Sequence, residues 1–500
     1  MKSGIKISVL FFLFFSLSVV SQNLTFSPYS RYGIGEINSN AFGQLQALGG
    51  AGVAFKPDTT APLFINIVNP ASISNIRVTT LEIGGIGNFS SYNNGKSTVR
   101  TKTANFSYGA LGFNLKNKAG LCFGILPYSN VGYNIREDKW VDNVNDYVTE
   151  KYKGEGGINK VFLGIGINPF KERLNKFYRS AYRDSLMKHH EVKKYKRIKF
   201  RKQLLSDLSI GGRADYLFGH ILHTSSVVYP GSLNYYNTRR YRGVNYGDIT
   251  ASFGLQTSFV IDSVKKKKVN SKRHFTLFNG DSVQRYELKQ KIRVAFGYYM
   301  SLPNTIMVKN SYMAYNYSLN SLGDEIPKDT FIYVVDQRGS VRLPLEQGIG
   351  MSVKKGEMLN ISADVTYTNW QQFRYLDKVN DLKNSYRVSV GVNYVPNKFA
   401  LGKQNYYKRV NYRLGAFYNT GYLDLKNTEI VNYALTVGFG FPVGVITRST
   451  NNTFLVNTVN VSANFGKMGT VKSNLIEEKY IKLVVGFTFN DKWFNKVKFD

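Results

Sequence analysis

Near the C-terminus the chain alternates: Ile481, Leu483, Val485, Phe487 and Phe489 take every second place, and Lys482, Val484, Gly486, Thr488 and Asn490 fill the gaps. Residues two apart share one face of a strand. One face of this segment is therefore apolar and the other mostly small or polar. The pattern returns at Tyr386, Val388, Val390, Val392 and Tyr394 against Arg387, Ser389, Gly391 and Asn393, and at Tyr412, Leu414, Ala416 and Tyr418 against Arg413, Gly415, Phe417 and Asn419. A fourth case sets Leu208, Ile210, Gly212, Ala214, Tyr216 and Phe218 against Ser209, Gly211, Arg213, Asp215 and Leu217. Such segments start near Arg77, Thr103, Gly120, Ile158, Asp207, Tyr246, Lys291, Val341, Met358, Ser385, Val410, Asn432, Leu455 and Lys479. They predict an all-β protein of about fourteen antiparallel strands.

Alternation alone fits a soluble sandwich with its apolar face inward as well as a membrane barrel with that face outward. The strands are about ten residues or longer, their ends are rich in Tyr and Phe, and Arg213, Arg387 and Arg413 sit mid-strand on the small-residue face. Aromatic girdles and a polar lumen are what a transmembrane barrel needs, and an even strand number suits a bacterial one. The chain's beginning points the same way. Lys2 and Lys6 precede an apolar run from Ile7 to Val20, with Val19 and Ser21 at the small-residue places before a cleavage site. This reads as a signal peptide over residues 1–21, with an N-terminal anchor as the alternative. The expected location is the bacterial outer membrane, spanned many times by strands.

Composition removes other classes. Tyr, Phe and Trp make up 14% of the 500 residues, too aromatic for a disordered chain. The single cysteine, Cys122, excludes a disulfide framework and a cysteine-based zinc site. The formal charge of +33, from 66 Lys+Arg against 33 Asp+Glu, raises nucleic acid as a partner. Export argues against it, since a secreted chain does not meet genomic DNA. No P-loop spacing or GxSxG elbow is present, so an enzyme is not expected.

Ahead of the first strand, residues 22–76 are rich in Gly and Ala and carry Ala47-Leu48-Gly49-Gly50-Ala51-Gly52 and then Asn69-Pro70-Ala71. Further on stand Leu343-Pro344, Gly348-Ile349-Gly350 and Ala363-Asp364-Val365-Thr366-Tyr367-Thr368-Asn369-Trp370. In this order the motifs resemble the long-chain fatty acid transporter (FadL-type) family of outer-membrane proteins, in a Bacteroidetes-type member. The resemblance implies a fourteen-stranded barrel over residues 77–500 with residues 22–76 folded inside as a hatch. It implies passive uptake of hydrophobic, fatty-acid-like compounds, a gate at Asn69, Pro70 and Ala71, and lateral release into the membrane at a kinked third strand. The third strand candidate runs from Gly120 to Tyr128. Proline cannot donate to a ladder, so Pro127 and Tyr128 mark either the lateral opening or an ordinary irregular rim. Relatives in Bacteroidetes-type bacteria serve type IX secretion, so the resemblance also allows a non-transporting barrel subunit of a secretion or surface-assembly complex.

Two basic connections depart from the family pattern. Residues 170–206 carry 13 Lys+Arg and 3 Asp+Glu, and residues 262–290 carry 8 and 3. By the strand count both lie on the periplasmic side. They are either solvated surface or a dock, through Lys193, Lys194, Arg197, Lys265, Lys266, Lys267 and Lys268, for an acidic periplasmic or secretion-machinery protein or for anionic headgroups. Tyr and Arg interleaved from Tyr235 to Arg242 suit lipopolysaccharide phosphates and sugars. The expected partners are thus outer-membrane lipid and lipopolysaccharide, a hydrophobic small molecule and an acidic periplasmic or secretion-machinery protein, with no nucleic acid. Arg213, Asp215, Asp364, Arg387 and Arg413 are expected in the lumen as a paired structural network. His189-His190 and the His220–His223 pair lack nearby carboxylates or cysteines, so no metal and no cofactor is expected.

Overall fold

The computed structural model describes residues 25–491 apart from 57–63, 116–117, 171–202, 231–234, 262–291, 321, 377, 380–381, 401 and 449–453. Fourteen antiparallel strands close into a barrel: β1 (Thr79–Asn93), β2 (Thr98–Leu115), β3 (Ala119–Val141), β4 (Asp146–Ile167), β5 (Ser209–Val228), β6 (Asn237–Ile261), β7 (Ile292–Ser301 continuing as Asn304–Leu319), β8 (Glu325–Leu343 continuing as Glu346–Lys355), β9 (Leu359–Thr368), β10 (Ser385–Tyr394), β11 (Asn411–Asn419), β12 (Asn432–Arg448), β13 (Phe454–Met468) and β14 (Glu477–Asp491). Closure is made by β14 on β1, from Thr79 opposite Asp491 to Asn93 opposite Glu477. The interruptions in β7 and β8 fall at Pro303 and Pro344, where a missing N–H breaks the ladder.

The alternation resolves as a membrane wall. Phe487, Phe489, Val390, Leu414, Leu163 and Ile249 are exposed outward, while Thr488, Arg213, Ser389 and Arg413 on the alternate places are buried. Each outward Leu or Phe left in water would forfeit about 1.5–3 kcal/mol of burial, so a belt of them requires hydrocarbon around it. The chain is an outer-membrane β-barrel. Among the described residues no helix is long and apolar enough to cross a membrane; the strands do so.

One rim carries the start of β1 and the end of β14; it is called here the terminal rim. The opposite, distal rim is uneven. β9, β10 and β11 stop after ten, ten and nine residues, whereas β3 to β8 climb well beyond them. In this taller wall the inside is apolar: Val131, Ile158, Leu217, Ile221, Val244, Ile306 and Val308 pack around Trp370 and Phe373 from the β9–β10 connection. The phase of the hydrophobic pattern thus inverts above the membrane. This explains the largest differences from the expected strand starts: β2, β4, β6 and β8 begin earlier, at Thr98, Asp146, Asn237 and Glu325. Their distal ends face water, and nothing there demands an apolar exterior.

Candidate functional site

Residues 25–56 and 64–76 run inside the barrel and are held by buried polar side chains from strands all round it. Glu82 of β1, fully buried, accepts from the Ile65 amide (2.8 Å) and from Gln44 Nε2 (3.3 Å), which also donates to Thr488 Oγ1 (2.8 Å). Asp364 Oδ2 of β9 accepts from the Gly52 and Val53 amides at 2.6 and 2.7 Å. Lys482 of β14 pairs with Glu36 at 2.7 Å, and Lys56 with Asp207 at 3.0 Å. Nearer the distal rim Ser27 donates to Glu478 (2.9 Å), and Ser30 to the Gly132 carbonyl (3.1 Å).

The expected site residues fall into this scheme separately. Asn69, fully buried, donates from Nδ2 to the Val53 and Leu255 carbonyls (2.9 and 3.1 Å) and accepts from the Ala71 amide (3.0 Å), capping the short helical turn Pro70–Asn75. The backbone there lies directly on the wall: a Cβ at Gly254 would sit 2.0 Å from Asn69 Oδ1, and one at Gly211 would sit 2.2 Å from the Pro70 carbonyl oxygen. Arg213 and Asp215 pair bidentately at 2.7 and 2.9 Å, and Arg213 also donates to the Ile67 carbonyl. Arg387 donates to the Gly49 carbonyl (3.1 Å) and stacks 3.9 Å from the Phe417 ring centroid. Arg413 donates to Asn460 (2.9 Å). Three of the five therefore bind the N-terminal segment directly instead of forming one continuous lumenal network. Lys193, Lys194, Arg197 and Lys265 to Lys268 lie outside the described residues. His220 and His223 turn to different partners, Asn245 and Tyr133. Among the described residues no cluster of metal-binding side chains forms.

Among the described residues the wall loses a ladder between β2 and β3. The β2–β3 ladder ends at Gly109 opposite Ile125, although β2 extends back to Thr98 and β3 onward to Val141. The β3–β4 register then shifts between Pro127 and Ser129. Beyond the shift, β3 pairs with Glu36 and Ile37 of the N-terminal segment, opposite Asn130 and Ser129, in the position β2 has vacated. Behind this break lies a cavity of about 140 Å³ lined by Phe106, Tyr108, Leu126, Pro127, Glu36 and Lys482 among others. A second, of about 210 Å³, reaches from it past Tyr128 to Trp370 and Tyr422 at the distal side; the two share Glu36, Ile37, Asn38, Ser39, Gly50, Arg387 and Asn432. The lining mixes apolar with charged side chains.

A family model described as BamG matches residues 5–175 and 276–500. The chain belongs to the BamG family. No curated protein sequence matches it. Among solved structures, the BamG-family chain is similar to the Ralstonia pickettii toluene transporter TbuX (TM-score 0.49, 11% identity, covering 91% of this chain and 99% of that one). It is similar to the P. putida toluene transporter TodX (0.49, 11%, 91% and 100%) and to a Pseudomonas aeruginosa FadL homologue (0.47, 10%, 91% and 99%).

Sequence reasoning missed Glu82, Glu36, Lys482 and Lys56 in this BamG-family barrel. Glu82 and Lys482 carried a usable signal, an ionisable residue on the lumenal phase of an alternating strand. Glu36 and Lys56 carried none, because the irregular segment holding them has no period from which a facing direction can be read.

Proposed function

We propose that the protein is an outer-membrane channel that passes small hydrophobic compounds sideways through its wall. The observation that carries this reading is the abandoned β2–β3 ladder with a cavity behind it. Phe106 of β2 lies opposite Gly85, which in turn lies opposite Val485 within the apolar belt. A molecule in the cavity at this height faces hydrocarbon, and its transfer out of water gains about 0.8 kcal/mol per CH₂; no energy source is required. With the distal rim extracellular, the route runs from the Trp370–Tyr422 side past Tyr128 and leaves beside Pro127. The N-terminal segment acts as a hatch that closes the terminal, periplasmic rim, with Asn69, Pro70 and Ala71 its point of attachment.

The test exploits the burial of Cys122. In Phe106→Cys the new thiol is the accessible one, and a bulky maleimide attached there blocks the window. Purified protein in liposomes should speed partition of a fluorescent fatty acid into the bilayer, and labelling should abolish the gain. A rate equal to that of empty liposomes, or one indifferent to labelling, refutes the proposal.

A second reading, a non-transporting subunit of a surface-assembly complex, is favoured by the charged lining of the cavity and the many polar ties that fix the hatch. Deleting residues 170–206 separates the two, because a channel keeps its transfer rate and a docking subunit loses its partner in native purification.

A further inference from the structure

The tall wall ends in an open strand edge. Among the described residues, the far edge of the upper β8 segment pairs only at Val341 and Arg342, with Tyr375 and Arg374; from Glu325 to Val334 its ladder runs to β7 alone, with register shifts at Pro327/Asp329, Thr330/Ile332 and Val334/Gln337. There Thr330-Phe331-Ile332-Tyr333-Val334-Val335 is an uncharged run of strong strand formers. Phe331, Tyr333 and Val335 are 48%, 72% and 58% exposed. An exposed, apolar, unpaired edge is a template for another strand. Charges bracket it: Lys328 and Asp329 on one side, Asp336 (3.7 Å from the exposed Lys309) and Arg338 on the other. They confine pairing to about one strand length.

The charges also choose the occupant. A second copy pairing antiparallel about the centre of the run would set Asp329 opposite the Asp336 of its twin at both ends, and like charges directly opposite are unfavourable. We propose that this edge receives, by strand addition, an extended segment of another polypeptide at the cell surface. That segment is apolar in its middle and carries Lys or Arg at the places facing Asp329 and Asp336.

The full chain in detergent tests this with an end-blocked peptide, Lys-Val-Thr-Val-Tyr-Thr-Val-Lys, followed by fluorescence anisotropy. Three results are expected. The peptide binds saturably; its counterpart with Glu at both ends binds about tenfold more weakly; and a version with alternate backbone nitrogens methylated does not bind, since strand addition needs those N–H groups. Phe331→Asp and Tyr333→Asp should also abolish binding. Equal binding of the methylated peptide overturns the proposal, as does binding indifferent to end charge. So does a dimer in sedimentation that Tyr333→Asp dissolves, which would make a second copy the occupant. The methylated-peptide arm uses the unaltered protein and stands even if a variant fails to fold.

Discussion

Removing the Asp364 carboxylate should loosen the N-terminal segment by a calculable amount. Both the Gly52 and Val53 amides donate to one oxygen, at 2.6 and 2.7 Å, and Asp364 is buried. Hydrogen bonds to a charged acceptor contribute about 1.5–3 kcal/mol each and neutral ones about 0.5–1.5. Asp364→Asn can keep an amide oxygen in the same place, so it loses only the charge assistance, roughly 2–3 kcal/mol over the two bonds. Asp364→Ala leaves two buried donors without an acceptor at about 1–3 kcal/mol each, up to roughly 6 in all. If these amides exchange by local opening, Asn should speed exchange by about 30- to 150-fold. Ala should speed it by as much, rising to about ten-thousandfold. Hydrogen–deuterium exchange of the segment 42–56, read by mass spectrometry on detergent-solubilised protein, measures this directly. The reasoning fails if Ala leaves exchange unchanged, or if Asn exchanges more slowly than the parent. The latter result would mean that the cost of burying the charge exceeds what its two bonds return.

Three further outcomes are expected. Val390→Arg, on the outward face in mid-strand, should lower folding stability in lipid by about 2–4 kcal/mol, measured by reversible unfolding into urea. Gly254→Val should detach the Asn69–Pro70 turn, since its first side-chain carbon meets Asn69 Oδ1 at 2.0 Å; a rise in single-channel conductance is the readout. The Lys56–Asp207 pair should respond to acid. Burial raises Asp207, but Lys56, the Ser258 hydroxyl and Arg293 outweigh it and hold its carboxyl below the ordinary 3.8; burial meanwhile pushes the Lys56 ammonium below 10.5 against the pull of Asp207. A lowered carboxyl stabilises above its unfolded pKa and ceases to as the pH falls through the folded one. The tie should therefore hold at neutral pH and open only below pH 3.8, visible as protease access to the segment near Lys56 that Asp207→Asn shows already at neutral pH.

The barrel and its surroundings were legible in the sequence because a strand's facing has a period of two. Ile481 to Asn490, Tyr386 to Tyr394 and Leu208 to Phe218 each state which side meets lipid, and neighbouring strands must agree if a closed wall is to form. The same local rule failed above the membrane. There Ile306 and Val308 of β7 turn inward and Lys309 outward, and the distal parts of β4, β6 and β8 likewise do not repeat the lipid-facing phase. Pro127 marked an irregular place in the third strand, but only the tertiary structure decided that the β2–β3 ladder is lost beside it. The break depends on Glu36 and Ile37 displacing β2 from Asn130 and Ser129, a contact made across more than ninety residues of chain. It decided the anchors too. Glu82 and Asp364 became holdfasts only when the N-terminal segment brought amide groups to them, and that segment follows no repeat. Periodicity records which way a residue faces; what it finds there depends on chain that is distant in sequence.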